Sequence, residues 1–293
     1  MRSLTSCLIL VALCACRNDP NTTPNDLTST PVVDQSVSED LTGAPKAVTI
    51  RDLNGGSIGD NTVVATTGVV TSPILWIDTF AASGTSPPSC RFNLFIAQPD
   101  AQPTLKDGLR VTRSLSAPQS DAGTVSVSAC RTLGAADEAY KAMAALKPGD
   151  AVEVSGRFNI SANTQQRSLA VTTAAGVVGK GAAPMAPLPA TVTSAMLTES
   201  DTTAFRAAQS ALVRLDNVTV VDSGVASAAA FSATSDGTAK TPINTQYITT
   251  TLTGDMMYAP PANTTKIKAI VGIVFPEGKG SVRPRNTGDI QPQ

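Results

Sequence analysis

The sequence predicts an all-β protein made of two domains in tandem. Threonine and valine are abundant, whereas only 15% of the residues are charged and only 4% are aromatic. β-Branched residues favour strands, and short runs with a two-residue apolar period alternate here with turns rich in Gly, Pro, Asn and Ser. With 293 residues and 42% hydrophobic side chains, the chain is long enough to form two cores of this kind.

Residues 1–15 have the pattern of a secretory signal. Arg2 is followed by an apolar run from Leu4 to Leu13 and then by small residues. The run is too short for a membrane-spanning helix, which needs about 20 apolar residues. The sequence Leu13-Cys14-Ala15-Cys16 resembles the bacterial lipobox. This resemblance implies that residues 1–15 are removed and that Cys16 becomes a lipid-bearing N-terminus; an ordinary secretory peptide with an incidental cysteine is the alternative.

Residues 16–46 predict a disordered tether between the lipid and the first domain. Prolines and small polar residues dominate, and the few apolar residues are too scattered to offset the entropy of folding. Arg17 and Asn18 follow Cys16, and neither is the aspartate that resembles an inner-membrane retention signal. We therefore expect a lipid-anchored protein of the bacterial cell envelope, in the outer rather than the inner membrane.

Two further cysteines, Cys90 and Cys130, are predicted to form a disulfide. Cys7 and Cys14 lie in the segment that is removed and Cys16 carries the lipid, so an even pair remains in an oxidising compartment. Two buried free thiols are one alternative. A two-cysteine metal site is the other, but the neighbouring sequence lacks further soft ligands, and we expect no metal and no cofactor.

The first domain is predicted to span residues 47–179. Its predicted strands are 62–70, 91–96, 108–111, 124–128, 151–158 and 168–172. Residues 135–146 predict a helix, because apolar residues recur at three- and four-residue spacing and Pro148-Gly149 ends the pattern. The loop after the first strand contains Trp76, the only tryptophan, and Phe80.

Residues 180–190 form a predicted linker rich in Gly and Pro, and residues 191–293 form the second domain. Its predicted strands are 211–221, 229–233, 246–249, 266–275 and 281–285. The two domains look like weakly related copies offset by about 144 residues, since Val48-Thr49 corresponds to Val192-Thr193. A late strand of each copy contains a glycine, Gly156 or Gly272, which permits the coiling that barrel closure needs.

Five strands with a helix or loop before the fourth predict an OB-like barrel in each domain. Two unrelated β-sandwich domains are the alternative. Three segments, residues 148–156, 210–220 and 282–290, resemble strands of OB-like modules in bacterial secreted proteins, which often accompany extracellular nucleases. The resemblance implies a module without an activity of its own, because no nuclease domain with its catalytic histidines and acidic metal cluster accompanies it.

Composition excludes several functions. The chain contains no histidine, which removes Ser-His-Asp and Cys-His catalysis and histidine-based zinc sites. The acidic pairs Asp137-Glu138 and Glu199 with Asp201 are interpreted as surface carboxylates, since a catalytic dyad needs separated environments. A net charge of −1 and few aromatics argue against nucleic acid as a partner. We expect a non-enzymatic binding or scaffolding module for an envelope protein or polymer, with accessory nucleic-acid binding as the alternative.

The candidate ligand-face residues are Trp76, Phe80, Arg91, Arg283 and Arg285. The loop after the first strand helps frame the ligand face of an OB barrel, which points to Trp76 and Phe80. The same two aromatics also fit a plug over the barrel end. Arg283 and Arg285 alternate on one strand, where they suit an anion or an acidic partner, or a solvated edge strand.

The lipid anchor is tested by the substitution Cys16→Ser. The variant has no sulfur to acylate, so we expect it to move from the membrane fraction to the soluble fraction, as measured by fractionation and immunoblotting. Cys14→Ser serves as the matched control and keeps the protein on the membrane. Membrane retention of Cys16→Ser would contradict the anchor.

Overall fold

The strand order of each half of the chain closes a five-stranded barrel. The computed structural model describes residues 44–73, 75–117, 123–161, 165–197, 203–223, 230–249, 258–275 and 281–293. The first half contains β1 (Lys46–Ala47), α1 (Ile50–Gly55), β2 (Val63–Val70), β3 (Trp76–Phe80), β4 (Ser89–Ala97), β5 (Gly108–Ser116), α2 (Val127–Ala135), α3 (Glu138–Ala144), β6 (Asp150–Ile160), β7 (Arg167–Ala170) and β8 (Val177–Ala182). The second contains β9 (Ala190–Val192), α4 (Ser194–Leu197), α5 (Thr203–Ala208), β10 (Leu212–Asp222), β11 (Ala230–Thr234), β12 (Thr241–Asn244), α6 (Gln246–Thr249), β13 (Lys266–Phe275), β14 (Ser281–Arg283) and β15 (Ile290–Pro292).

Both barrels have the topology of the OB-fold. The first has the hydrogen-bonded order β2-β4-β5-β7-β6, and it closes where β6 pairs with β2. The second has the order β10-β11-β12-β14-β13 and closes where β13 pairs with β10. In each, the third and fifth barrel strands run parallel, and helix lies between the third and fourth. The predicted pair of tandem OB-like barrels is therefore confirmed, and the alternative of two β-sandwiches is excluded.

Each barrel strand contributes apolar side chains to the barrel interior, because alternate residues of a strand point to opposite faces. Inward-facing residues of the first barrel include Val64, Leu94, Val111, Val154 and Leu169. Those of the second include Val213, Phe231, Ile243, Ile270 and Val282. The intervening residues face outward, and this outer face holds the candidate site.

The internal repeat is visible in the register of the strands. A short parallel strand, the first barrel strand and the fourth barrel strand align in the same way in both copies. The aligned residues are Lys46, Val64 and Gly156 in the first barrel and Ala190, Val213 and Gly272 in the second. Lys46 and Ala190 lie 144 residues apart, which matches the offset that the sequence predicts.

Gly156 and Gly272 occupy equivalent places where two backbones come very close. A Cβ atom on Gly156 would overlap the carbonyl oxygen of Ala170, in β7. A Cβ atom on Gly272 would lie 2.7 Å from the carbonyl oxygen of Arg283, in β14. In both barrels the glycine thus lets the fourth strand pass against the end of the fifth, as expected for a glycine at a closely packed strand.

Several predicted elements differ from the structure. Residues 124–128 are not a strand: the Ser126 side chain accepts a hydrogen bond from the Ala129 amide and caps α2. Residues 246–249 form α6, where the Asn244 side chain accepts from the Gln246 amide. β8 continues to Ala182, three residues into the segment predicted as a linker. β3 lies in what was predicted to be a loop, since it pairs along its whole length with β4.

The predicted disulfide is confirmed. Cys90 on β4 and Cys130 on α2 are bonded, with their Cα atoms 5.6 Å apart, and both are fully buried. Next to them, Phe92 packs edge-on against Tyr140 of α3. The disulfide therefore fixes the helical segment to the strand that carries Arg91. Closing a loop with a sequence separation of 40 stabilises the fold by about 4 kcal/mol in the chain-entropy description.

The predictions for the N-terminal segment concern residues that the structure does not describe. The signal peptide at 1–15, Cys16 and the tether up to residue 43 lie outside the described residues, as do Glu199 and Asp201. None of the helices in the described ranges is both long and apolar enough to cross a membrane.

Adding a methyl group at either strand glycine tests barrel closure. We expect Gly156→Ala to lower the free energy of unfolding by at least about 2 kcal/mol, because its Cβ has no room beside a backbone carbonyl. Gly272→Ala should lower it as well, by less. Gly55→Ala is the control, since no atom lies within 4 Å of the added Cβ. Urea denaturation measures all three, and equal stability of Gly156→Ala and Gly55→Ala would contradict the closure argument.

Candidate ligand-binding groove

A groove crosses the outer face of the first barrel. Two adjoining hollows, of about 380 and 340 Å³, share Arg91, Arg110 and Gln166 in their walls. The first hollow extends over β3 to Phe80, and the second extends to Ser161 after β6. Each volume lies in the range of about 300–1,000 Å³ that is usual for ligand sites. We call this surface the β4–β5 groove, after the strands at its centre.

The position of the groove in the fold is informative. β4 and β5 are the second and third strands of the barrel, and β3 belongs to the connection between its first and second strands. In OB-folds, the face of strands 2 and 3 and the loops beside it are where ligands bind. The described part of the connection between β6 and β7 completes the groove at its far end.

A buried hydrogen-bond network forms one wall of the groove. The Asp78 carboxylate accepts from the Trp76 indole Nε1 at 2.8 Å and from the Arg110 guanidinium at 2.6 Å. Arg110 also donates from Nε to the Asn93 side-chain oxygen at 2.7 Å, and the Asn93 amide donates to Asp78 at 3.1 Å. The Arg110 side chain is 3% exposed and that of Asp78 is 12% exposed. These hydrogen bonds therefore fix the geometry of this wall.

Phe80 and Arg91 form a second feature of the same hollow. The guanidinium carbon of Arg91 lies 4.6 Å from the centre of the Phe80 ring, a cation–π contact. Phe80 is 38% exposed. The structure thus brings together three of the predicted ligand-face residues, because Trp76, Phe80 and Arg91 all line this hollow.

Trp76 has a second role, since its ring reaches the second barrel. It packs edge-on against Tyr247 and Phe275, with ring centres 5.7 and 5.6 Å apart. Phe95, which points outward from β4, contacts Phe275 with ring centres 5.1 Å apart. Phe95, Tyr247 and Phe275 form a buried inter-barrel cluster with Leu212, Val271 and Ile273, and the partly buried Trp76 packs against it.

Arg283 and Arg285 lie outside the groove, and the predicted edge-strand position of Arg283 is corrected. β14 pairs with both β12 and β13, so it is an interior strand. Arg283 is only 3% exposed, and its guanidinium carbon lies 3.4 Å from the Phe275 ring centre and 4.1 Å from that of Trp76. Arg285 pairs with Asp289 at 2.8 Å on the second barrel. The sequence showed that the two arginines alternate along a strand. It did not show that Trp76 of the first barrel covers Arg283.

The second barrel uses the corresponding face differently. Ala170 and Arg283 each pair with the residue that follows the strand glycine, so Arg283 takes the place of the groove residue Ala170. Phe275, three residues after its glycine, takes the place of Asn159, which also lines the groove. Both replacements are buried in or against the inter-barrel cluster. At these two positions the second barrel packs against the first barrel and has no open surface.

Sequence reasoning missed the residues that hold the groove wall, Asp78, Asn93 and Arg110. The available signal was Arg110 itself, a charged residue inside a predicted strand whose neighbours Leu109 and Val111 are core residues.

In the described ranges, no group of three or more Cys, Asp or Glu side chains is placed to hold a metal ion. Asp137 accepts hydrogen bonds from Arg113, at 2.6 Å, and from the Tyr140 amide.

Comparisons with solved structures concern the fold alone. The chain is similar to the OB domain of Ta0387 from Thermoplasma acidophilum, at 14% identity and a TM-score of 0.25, over 49% of this chain and 92% of that one. It is similar to RecG in a structure bound to a three-way DNA junction, at 13% identity and a TM-score of 0.24, over 47% of this chain and 13% of that one. It is also similar to a replication protein A heterotrimer bound to ssDNA, at 9% identity and a TM-score of 0.26, over 79% of this chain and 54% of that one. The chain thus spans less than two thirds of the RecG and replication protein A chains. No protein-family model and no curated protein matches the sequence.

The network is tested by Asp78→Asn. The substitution removes the carboxylate charge that faces the buried Arg110 guanidinium, so we expect a loss of about 3 kcal/mol in the free energy of unfolding. Glu138→Gln is the control, because Glu138 and Lys141 form an exposed pair at 2.7 Å that contributes less than about 0.5 kcal/mol. Urea denaturation followed by Trp76 fluorescence measures both. Similar losses for the two variants would contradict the network as a structural element.

Proposed function

We propose that this chain is a non-enzymatic binding module of the bacterial cell envelope and that the β4–β5 groove is its ligand site. The observation that carries the proposal is the groove itself: an open, polar surface on rigid strands, at the ligand-binding position of an OB barrel. Its wall is held by the Asp78 network, and its central strand is fixed by the disulfide at Cys90. Preorganisation of this kind lowers the entropic cost of binding.

The proposed ligand site lies on the first of the two barrels. Phe275 and Arg283 of the second barrel pack against the first barrel at positions where the first barrel has its groove. The second barrel is then a support that holds Trp76, and through Trp76 the groove wall, in place.

A binding role without catalysis fits the groove's carboxylates. Asp78 is engaged by Arg110 and Trp76, and Asp60 accepts from the Ile160 backbone amide at 2.7 Å. General acid–base catalysis needs a carboxyl group that is placed to exchange a proton with substrate. Asp78 instead holds the groove wall together, and Asp60 accepts a backbone hydrogen bond at the exposed end of β6.

We also propose that the module is anchored in the outer membrane through lipid on Cys16. The lipobox-like Leu13-Cys14-Ala15-Cys16 and the Pro-rich segment after it support this location. A flexible tether of about thirty residues has a mean reach of roughly 30 Å, which keeps the barrels clear of the membrane surface. The partner would then be another envelope component, either a protein or a polymer.

Accessory nucleic-acid binding is the second candidate function, and the Arg91–Phe80 stack favours it. Single-stranded nucleic acids bind to positively charged grooves in which aromatic rings stack with the bases. Here, however, one exposed aromatic residue and two arginines are accompanied by Asp60 and Asp78. The groove therefore lacks the excess of positive charge that such ligands need.

The site is tested by filling the groove. Ala170→Arg introduces the side chain that the second barrel has at this position, and we expect it to abolish ligand binding while the fold is retained. Ala145→Arg makes the same change at an exposed position outside the groove and serves as the control. Binding is measured as a change in Trp76 fluorescence when polysaccharide, protein and nucleic-acid fractions of bacterial envelopes are added.

We expect at least one fraction to change the emission of the unmodified chain and of Ala145→Arg, but not of Ala170→Arg. An equal response from all three proteins, or no response to any fraction, would contradict the groove as the ligand site.

A further inference from the structure

The charges in the β4–β5 groove cancel. Arg110 and Asp78 form an almost buried ion pair, which presents little charge to a ligand. Arg91 and Asp60 remain, one cation and one anion, in the walls of the same hollow. A row of phosphates or carboxylates would therefore meet attraction and repulsion of similar size, whereas nucleic-acid sites neutralise several phosphates.

Uncharged hydrogen-bonding side chains make up most of the remaining polar lining. They are Thr112, Ser114, Ser161, Ser168, Asn159 and Gln166. Hydroxyl and amide groups both donate and accept hydrogen bonds. Sugar hydroxyls have the same dual character, so each can form a donor and an acceptor contact with such a surface. The residues come from β5, β6, β7 and the β6–β7 connection, so the polar surface extends across several strands.

Phe80 supplies an exposed apolar part of the surface. It lines the hollow next to Arg91 and is 38% exposed. A sugar ring has carbon-bound hydrogens on its faces, and these pack well on an aromatic ring whose face carries partial negative charge. A chain that runs from Phe80 toward Ser161 would pair its carbon face with the first hollow and its hydroxyls with the second.

We infer that the β4–β5 groove binds an uncharged oligosaccharide chain. This inference rests on the proposed function, since it assigns the ligand class of the same site. Balanced charge, hydroxyl and amide lining and one exposed aromatic side chain together match a neutral glycan better than a polyanion. OB-fold faces at this position accept oligosaccharides as well as oligonucleotides.

The test compares ligands of defined charge on the purified full-length chain. The probes are cellohexaose, maltohexaose and chitohexaose as neutral glycans, polygalacturonate as an anionic glycan, and an oligothymidylate as single-stranded DNA. Trp76 fluorescence and calorimetry measure affinity between about 50 and 200 mM salt. We expect a neutral hexamer to bind with an affinity that changes less than about twofold over this range, because no counterions are released.

Paired serine variants locate the binding. Ser114→Ala with Ser168→Ala removes two groove hydroxyls and should weaken neutral-glycan binding at least about tenfold. Ser232→Ala with Ser281→Ala makes the same change on the outer face of the second barrel and should leave affinity unchanged. Circular dichroism and urea denaturation confirm that all variants are folded.

The outcomes separate the two levels of the proposal. Binding of polygalacturonate or DNA, but of no neutral hexamer, with a steep salt dependence and a loss in the Ser114/Ser168 variant, would overturn the ligand class and keep the groove. Binding of any probe that is equally strong in both double variants would overturn the groove as the site. Absence of binding for every probe would overturn the ligand class. The Ala170→Arg experiment would then show whether the groove is a ligand site at all.

Discussion

The hydrogen bonds of the Asp78 carboxylate are the interactions on which the wall of the groove depends. The carboxylate accepts from the Trp76 indole on one side and from the Arg110 guanidinium on the other. The Trp76 ring is at the same time held by the aromatic residues of the second barrel. A change in barrel packing would therefore move the groove wall, and a change at Asp78 would disturb the packing. Because buried charges are costly unless they are paired, this carboxylate has little freedom to take another position.

The two barrels share a topology but differ in what their outer faces contact. Their strands keep the same register, and a glycine in each fourth strand solves the same close approach to the fifth. What differs is the outer face: Asn159 and Ala170 are replaced by Phe275 and Arg283 in the second copy. Large side chains at these positions bury area against the first barrel and so stabilise the pair. This outer face is a packing surface in the second barrel, whereas it is an open groove in the first.

The fold was predictable because it depends on local sequence patterns. Much of the candidate site could not be predicted, since it depends on contacts between residues far apart in the sequence. Alternating apolar residues located β2, β4, β6 and β13, and the glycines at 156 and 272 revealed the repeat. The short alternation at 124–128 was misleading, since a serine cap overrides a strand pattern of a few residues. Arg283 was predicted on an exposed edge because nothing in its own strand records that Trp76, more than two hundred residues earlier, would cover it.

A neutral ligand also fits the way the chain is proposed to be displayed. Without charge attraction, binding relies on hydrogen bonds and packing, each of which contributes modestly in water. A single groove would then bind weakly, even when its wall is preorganised by the Asp78 network and the Cys90–Cys130 disulfide. Many lipid-anchored copies facing a polymer that repeats the same sugar unit would gain strength from effective concentration instead. One open groove per chain would be sufficient under these conditions, and the second barrel would then support the proposed site rather than duplicate it.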